Sequence, residues 1–429
     1  MRITSHFKQN PQINLKFSIK YLYIPNFCCT FAAENKLRNL RNAKRVSLYS
    51  IENVADMIDN PFLLYGYEGP EYFCDREDET RQLVESMQNG TNLTLISPRR
   101  MGKSGLIHHT FQYIKEHNSD FRCFYIDLYP TRSLSDFVNL LGKAIIGQLD
   151  TPIQKAEGFV MKFFRSAQLT FGVDPYTNLP QVSLSYAPQN SQQTLEEIFA
   201  YMAQSNVNCY IALDEFQQVG EYPEDNVEAI LRSLLERVHN VHIIFSGSKQ
   251  HVMDVMFSSP KHPFYRSTER MQLGSLDEDK YYAFAHHHLQ QKNVKLSKEI
   301  FHQVYTMTDG VTWYIQAILH RLYRLSDIEV TETVVQQAVV SIIRSEEEDY
   351  KKQYHHLTQV QAILLRAVAA EGEVKQPTSG LFVKKYHLRS ASSVQRALAS
   401  LVEEEYLYPT EEGYIVYDRF MAIWLRGLE

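Results

Sequence analysis

The stretch Thr91-Asn92-Leu93-Thr94-Leu95-Ile96-Ser97-Pro98-Arg99-Arg100-Met101-Gly102-Lys103-Ser104-Gly105 decides the fold. Its first six residues alternate and then turn apolar, the pattern of a short buried strand. A loop follows, then Gly102-Lys103-Ser104, then a helical pattern through Tyr113 and Ile114. Strand, loop, Gly-Lys-Ser and helix is the order that a phosphate-binding loop requires. A helix N-terminus offers unpaired N–H groups and partial positive charge to a phosphate. Gly102 lets the backbone come close, Lys103 can reach the β- and γ-phosphates, and the Ser104 hydroxyl can ligate Mg²⁺. The loop departs from the pattern GxxxxGK[ST] at its first position, where Ser97 replaces glycine.

A phosphate loop needs an acidic partner at the end of a neighbouring strand. Cys209-Tyr210-Ile211-Ala212-Leu213-Asp214-Glu215-Phe216 supplies a five-residue apolar run ending in two carboxylates, 110 residues beyond Ser104. In that reading Asp214 holds Mg²⁺ and Glu215 orients the attacking water. The plain alternative is an acidic strand end that caps the next helix. The separation leaves room for further strands of a parallel sheet. Two more runs fit: Cys123 to Tyr129, and Val241 to Ser248 after a helical pattern over Val227–Val238. Ser246 and Ser248 close the second run, where a polar residue can touch the γ-phosphate or the water; both also suit an ordinary strand-end turn.

The rest of the composition bounds the answer. A chain of 429 residues is too long for one ordinary core and implies two or three domains. Hydrophobic residues at 44% and charged residues at 22% describe a globular protein rather than a disordered or fibrous one. Net charge −6 argues against a dedicated nucleic-acid coat. No run approaches the length of a membrane-spanning helix. The five cysteines (Cys28, Cys29, Cys74, Cys123, Cys209) are odd in number, with no CxxC, which points to a reduced, cytoplasmic protein. Residues 1–56 carry nine basic and three acidic residues without a sustained period, and read as an extension preceding organised sequence from Met57. A signal-peptide reading of Tyr21 to Ala33 is weakened by Pro25 and Asn26.

Taken in order, Asp75-Arg76-Glu77, the loop Ser97 to Ser104, the Leu213-Asp214-Glu215-Phe216 strand end and Phe245-Ser246-Gly247-Ser248 resemble the archaeal-type ATPase family. That family belongs to the AAA+-related phosphate-loop NTPases called signal-transduction ATPases with numerous domains. The resemblance runs from about Asn60 to the C-terminus, and the Ser-Pro-Arg-Arg opening is similar to the family's own variant of the loop. It implies ATP with Mg²⁺ as ligands, and a box containing Phe73, Asp75 and Arg76 near the adenine. It also implies an arginine facing the nucleotide, with Arg266, Arg270, Arg99 and Arg100 as candidates and solvated surface residues as the alternative. Where the family often has Gly-x-Pro, this chain has Gly310-Val311-Thr312. No Asn-Lys-x-Asp guanine signature is present, and adenine rests on the resemblance.

Beyond the core, a helical pattern spans Asp277 to about Ile343. His286-His287-His288 cannot converge on a metal, because successive helical residues point about 100° apart, so a surface run is expected. Glu346 to Asp349 with Lys351 and Lys352 reads as a charged helix or a hinge, with a solvated helical face the favoured reading. Helices over Thr358–Ala370, Pro377–Tyr386 and Ser390–Glu404, then a hairpin through Tyr406–Tyr417, make a winged-helix arrangement. Residues 358–399 carry net +4 and residues 400–429 net −5, so an acidic wing sits beside any basic face. Tyr417 to Arg426 reads as a closing amphipathic helix that anchors aromatic residues in the core.

The expected architecture is therefore α/β: an extension (1–56), a phosphate-loop ATPase core with a parallel sheet (57–275), a helical lid (276–345) and a winged helix (346–429). The expected function is an Mg-dependent ATPase acting as a slow nucleotide-controlled switch. Its winged helix would bind the core, another protein or a second copy. The alternative is a DNA-binding regulator with a structural nucleotide site.

Overall fold

The computed structural model describes residues 60–428 apart from 119, 147, 150–162, 174–179 and 206. The basic extension expected over 1–56 lies outside the described residues.

The core opens with helix α1 (Glu77–Gln88), strand β1 (Leu93–Ile96), helix α2 (Lys103–His117) and strand β2 (Phe121–Asp127). Helix α3 (Leu134–Ile145) follows, N-capped by Ser133, whose side chain accepts from the Asp136 amide. A hairpin that the sequence reading passed over comes next, β3 (Gln168–Val173) and β4 (Pro180–Ser185). Then come α4 (Ser191–Gln204), β5 (Asn208–Asp214), α5 (Val227–Leu235), β6 (Val241–Gly247), α6 (Gln250–Ser258) and β7 (Glu269–Gln272).

Five of these strands form a parallel sheet in the order β2-β5-β6-β1-β7. Both faces are covered, which is why β5 is almost continuously apolar. Its Cys209, Ile211 and Leu213 enter the core beneath α3, α4 and α5, whereas Tyr210 and Ala212 enter the core shared with α1 and α2. The register pairs Ile96 with Gly247 and Asp127 with Asp214. Ser97, Asp214 and Ser248 therefore emerge at one edge, the carboxyl ends of the strands, where open α/β sheets bind ligands.

Four helices follow the core in the region expected as the lid, and are called the lid below: α7 (Glu278–Gln291), α8 (Lys298–Met307), α9 (Thr312–Leu325) and α10 (Glu332–His356). The winged helix comprises α11 (Gln359–Glu371), β8 (Glu373–Val374), α12 (Gly380–Lys385), α13 (Ala391–Glu403), β9 (Leu407–Pro409), β10 (Tyr414–Val416) and α14 (Arg419–Arg426). Capping boxes at Thr358/Gln361 and Ser390/Ser393 start α11 and α13. The second helix is shorter than expected from Pro377, because Ser379 caps it and sets its start. Helix α10 runs unbroken through the 345/346 boundary. Its Glu347, Glu348 and Asp349 pair with Lys351 and Lys352 one turn away, while Ile342 and Tyr350 are buried. That charge run is a solvated face and not a hinge.

Lid and winged helix share one apolar core. Ile315 and Ile318 of α9, Val339 of α10, Leu364 of α11, Leu398 of α13 and Phe420 of α14 belong to the same buried cluster. Of the histidine run, His288 is buried rather than at the surface, stacked on Tyr72 with its Nε2 3.1 Å from the Glu71 carbonyl. Among the described residues no group of three His, Cys, Asp or Glu can hold a metal, and no helix is long and apolar enough to cross a membrane.

Candidate functional site

The loop between β1 and α2 bends back on itself at two positions of positive φ, Arg100 (71°) and Gly102 (94°). Gly102 is the N-cap of α2, in a left-handed conformation that glycine adopts without steric cost. The Lys103 ammonium donates to the Ser97 carbonyl at 3.0 Å and the Pro98 carbonyl at 3.2 Å, so it lies along its own loop. Burial pushes Lys103 below its ordinary value, and the charges of Asp214 and Glu215 oppose that fall.

Behind the loop, Ser104 Oγ donates to Asp214 Oδ2 at 2.7 Å, and the Tyr125 hydroxyl donates to the same oxygen at 2.5 Å. Burial by itself would raise the Asp214 carboxyl. The Tyr125 hydroxyl, the Lys103 ammonium and the Ser104 hydroxyl outweigh it and hold the group below the usual carboxylate range. Ser246 is fully buried in the same neighbourhood, with no well-formed hydrogen bond from its hydroxyl. Glu215 sits at φ 53° immediately after the strand. Its Oε2 accepts from Ser248 Oγ at 2.6 Å and from the Gln217 amide, which fixes the carboxylate over the cleft.

These groups border a cleft of about 410 Å³. Arg99 to Gly105, Glu215, Phe73 and Arg76, all expected at the nucleotide site, line it. Asp214, Ser97, Pro98 and Ser248 stand one contact behind this lining and hold residues that form it. Arg76 is buried and donates to the Gly274 carbonyl at 2.5 Å, and pairs with Glu79 at 2.6 Å. Asp75 faces away from the cleft, with its carboxylate 2.6 Å from Lys280 Nζ. That ammonium and the neighbouring amides overcome its burial and lower its pKa to about 2. Arg266 and Arg270, expected to face the nucleotide, do not reach the cleft of their own chain. Arg266 is exposed beside the Tyr265 ring, and Arg270 pairs with Asp254 on the outer strand.

No motif signals the contacts that close the loop from above. The Arg99 amide donates to the Tyr417 hydroxyl at 3.2 Å, and its guanidinium pairs with Glu405 at 2.7 Å. The Arg100 guanidinium lies 4.3 Å from the centre of the Trp313 ring and pairs with Asp418 at 3.2 Å. Asp418 also caps α14 through the Phe420 and Met421 amides. Trp313 N donates to the Arg100 carbonyl at 3.0 Å, and Thr312 Oγ1 reaches the Met101 carbonyl at 3.4 Å. The segment that lacks the expected proline therefore touches the phosphate loop directly. Tyr125, Glu405 and Tyr417 are functional candidates that sequence reading missed, because each acts through a partner far away in the chain; Gln217 was missed as well, although it reaches Glu215 only two residues away.

Comparison with known proteins agrees with this fold. The family described as "ATPase domain predominantly from Archaea" matches residues 73–318, and "probable winged helix domain" matches 348–427. Among solved structures, a Walker-type ATPase of Pyrococcus abyssi is 18% identical with a TM-score of 0.59, covering 85% of this chain and 99% of the other. The ORC2 protein of Aeropyrum pernix, solved in ADPNP–ADP complexes, is 15% identical with a TM-score of 0.53, covering 85% of this chain and 95% of the other. At these identities the likeness establishes the fold. No curated protein matches the chain.

Proposed function

Because the chain belongs to the family of ATPase domains found predominantly in Archaea, we propose that it binds ATP in the cleft, hydrolyses it slowly, and uses the bound nucleotide to control the seat of its winged helix. The observation that carries this reading is the convergence of Lys103, Ser104, Asp214 and Glu215 on one sheet edge. Lys103 would exchange its two loop carbonyls for phosphate oxygens. Glu215, held by Ser248 and Gln217, would orient a water in line with the γ-phosphorus, whose bond to the bridging oxygen breaks to leave ADP and phosphate. Ser104 and Asp214 offer the hard oxygen donors that Mg²⁺ takes together with nucleotide phosphates and waters. That ion, when bound, supplies charge neutralisation.

The switch part of the reading rests on magnitudes. The winged helix meets the loop through one hydrogen bond to Tyr417 and two partly exposed ion pairs. Such a bond contributes about 1 kcal/mol, and such ion pairs about 0–1 kcal/mol each. A total of a few kcal/mol lies within the reach of a ligand that prefers one state. The core shared with the lid is far larger, so lid and winged helix would shift as a unit, giving up as well the lid's hydrogen bonds from Trp313 and Thr312 to the loop, about 1 kcal/mol each. The free thiols of Cys74, Cys123 and Cys209 support a reducing, cytoplasmic setting.

The test is calorimetric titration of the full chain with ATP and ADP, with and without Mg²⁺, alongside phosphate-release assays. Lys103→Ala should abolish binding, and Glu215→Gln should retain binding while losing hydrolysis. Wild-type binding that Lys103→Ala leaves intact would sink the reading.

A further inference from the structure

A continuous run of polar contacts joins the Glu215 carboxylate to the winged helix. Glu405 Oε2 accepts from Arg99 Nη1 at 2.7 Å, and Arg99 Nε donates to Ser248 Oγ at 3.4 Å. Ser248 Oγ in turn donates to Glu215 Oε2 at 2.6 Å. Chemistry fixes the donor directions along this run. A guanidinium has donors only, and a serine hydroxyl has a single proton. Ser248, at 6% exposure, therefore accepts from Arg99 and gives its proton to the carboxylate.

The winged helix grips both sides of the contact between Arg99 and Ser248. On the loop side it holds the Arg99 amide through Tyr417 and the guanidinium through Glu405. On the other side the Tyr408 hydroxyl of β9 donates to the side-chain oxygen of Gln250, two residues beyond Ser248 at the start of α6. The rings of Tyr408 and Tyr417 lie 5.7 Å apart, so the two grips form one patch. Glu405 itself stands at φ 59°, two residues past α13, where its amide donates to the Val402 carbonyl and that of Tyr406 to Leu401. Helix ends of this kind usually carry glycine, and any side chain there is sterically disfavoured. A glutamate occupies this turn against the backbone's preference, and its carboxylate is spent on Arg99.

We propose that Arg99 and Ser248 are positioning residues through which the seated winged helix sets the Glu215 carboxylate for hydrolysis. This rests on the cleft being an ATPase site. With Glu405 in place, the guanidinium stands against Ser248, the Ser248 proton is directed to Oε2, and Glu215 keeps the orientation that Gln217 also supports. Without Glu405 the guanidinium swings free. The Ser248 hydroxyl then loses the donor that orients it, and its proton can turn to another acceptor, a phosphate oxygen included. The seat of the winged helix thus acts on turnover rather than on ATP affinity.

The experiment measures ATP affinity by calorimetry and phosphate release at saturating ATP, both on the full chain. Ser248→Ala should slow release about tenfold, as expected for one lost hydrogen bond to a charged group, and leave ATP affinity within about threefold. Ser248→Thr keeps the hydroxyl and should restore most of the rate. Glu405→Gly relieves the backbone, so its thermal midpoint should not fall, yet release should slow several-fold. Arg99→Lys keeps the charge but loses the planar fork, and should match Glu405→Gly. In the Ser248→Ala background Glu405→Gly should slow release no further, because both act through one hydroxyl. Additive losses in the double variant, unchanged release in Glu405→Gly, or a Ser248→Ala effect confined to ATP affinity overturns the coupling and leaves the ATPase site standing. A wild type that binds no ATP or releases no phosphate overturns both.

Discussion

The backbone amide of Arg99 donates to the hydroxyl of Tyr417 at 3.2 Å, joining the third residue of the phosphate loop to the start of the last helix across 318 residues of chain. A phosphate loop binds anions through its own amides, and one of them is here engaged by the winged helix. Tyr417 is half-buried, which pushes its hydroxyl up to about 12, so it stays protonated and neutral through the physiological range. The contact is therefore a hydrogen bond between neutral groups, about 1 kcal/mol in strength.

Tyr417→Phe removes that acceptor and leaves the ring in place. Amide hydrogen exchange at Arg99 should speed by several-fold, and Glu405→Ala in the same chain should speed it further. Unchanged exchange in the double variant would show that the polar contacts do not hold the loop.

Asp214→Asn and Ser104→Ala each remove a hard oxygen donor while keeping side-chain volume nearly constant. ATP affinity in Mg²⁺ should fall to the level that the wild type shows in EDTA. Titration in both buffers checks this, and a full retention of the Mg²⁺ effect would relieve both residues of that role.

Asp75 joins the start of α1 to the lid through Lys280, and its pKa falls from 3.8 to about 2. A lowered folded-state pKa means that the stabilisation is fully present above about pH 4 and is lost as pH falls toward 2. Urea unfolding midpoints at pH 5 and pH 2.5 should show this loss in the wild type and a smaller one in Asp75→Asn. An identical loss in both would assign acid sensitivity to other carboxylates.

Phe420, at 1% exposure, packs edge-on against Tyr314 of the lid at 5.1 Å between ring centres. Phe420→Ala should cost roughly 3–5 kcal/mol. Because the core is common to both parts, lid and winged helix should lose protection from proteolysis together. Selective release of the winged helix with a protected lid would argue for separable modules.

Charge also weighs on the alternative reading as a DNA-binding regulator. Of the basic residues around the second helix, Lys375 pairs with Glu412 and Lys385 with Glu371. Reversing Lys384, Lys385 and Arg396 should leave affinity for duplex DNA unchanged in a fluorescence titration at low salt. A drop of tenfold or more would favour DNA as the partner.

What the sequence determined by itself was local. The apolar run before Ser97, the glycine at 102 and the carboxylates after Leu213 specify strand, loop and strand end through periodicity and backbone freedom, which near neighbours in the chain impose. The edge strand β7 and the hairpin β3–β4 escaped notice because short strands have little period to read. Arg266 and Arg270 looked like nucleotide-facing groups, yet direction in space does not follow from position in the chain. That Arg99 and Arg100 face Tyr417, Glu405 and Asp418, that Tyr125 shares Asp214 with Ser104, and that Gln316 stands on the cleft wall all follow from the packing of distant elements. Those contacts depend on where the packed layers place side chains that are distant in sequence. Hydrophobic burial fixes those layers as a whole, and no single residue's spacing encodes it.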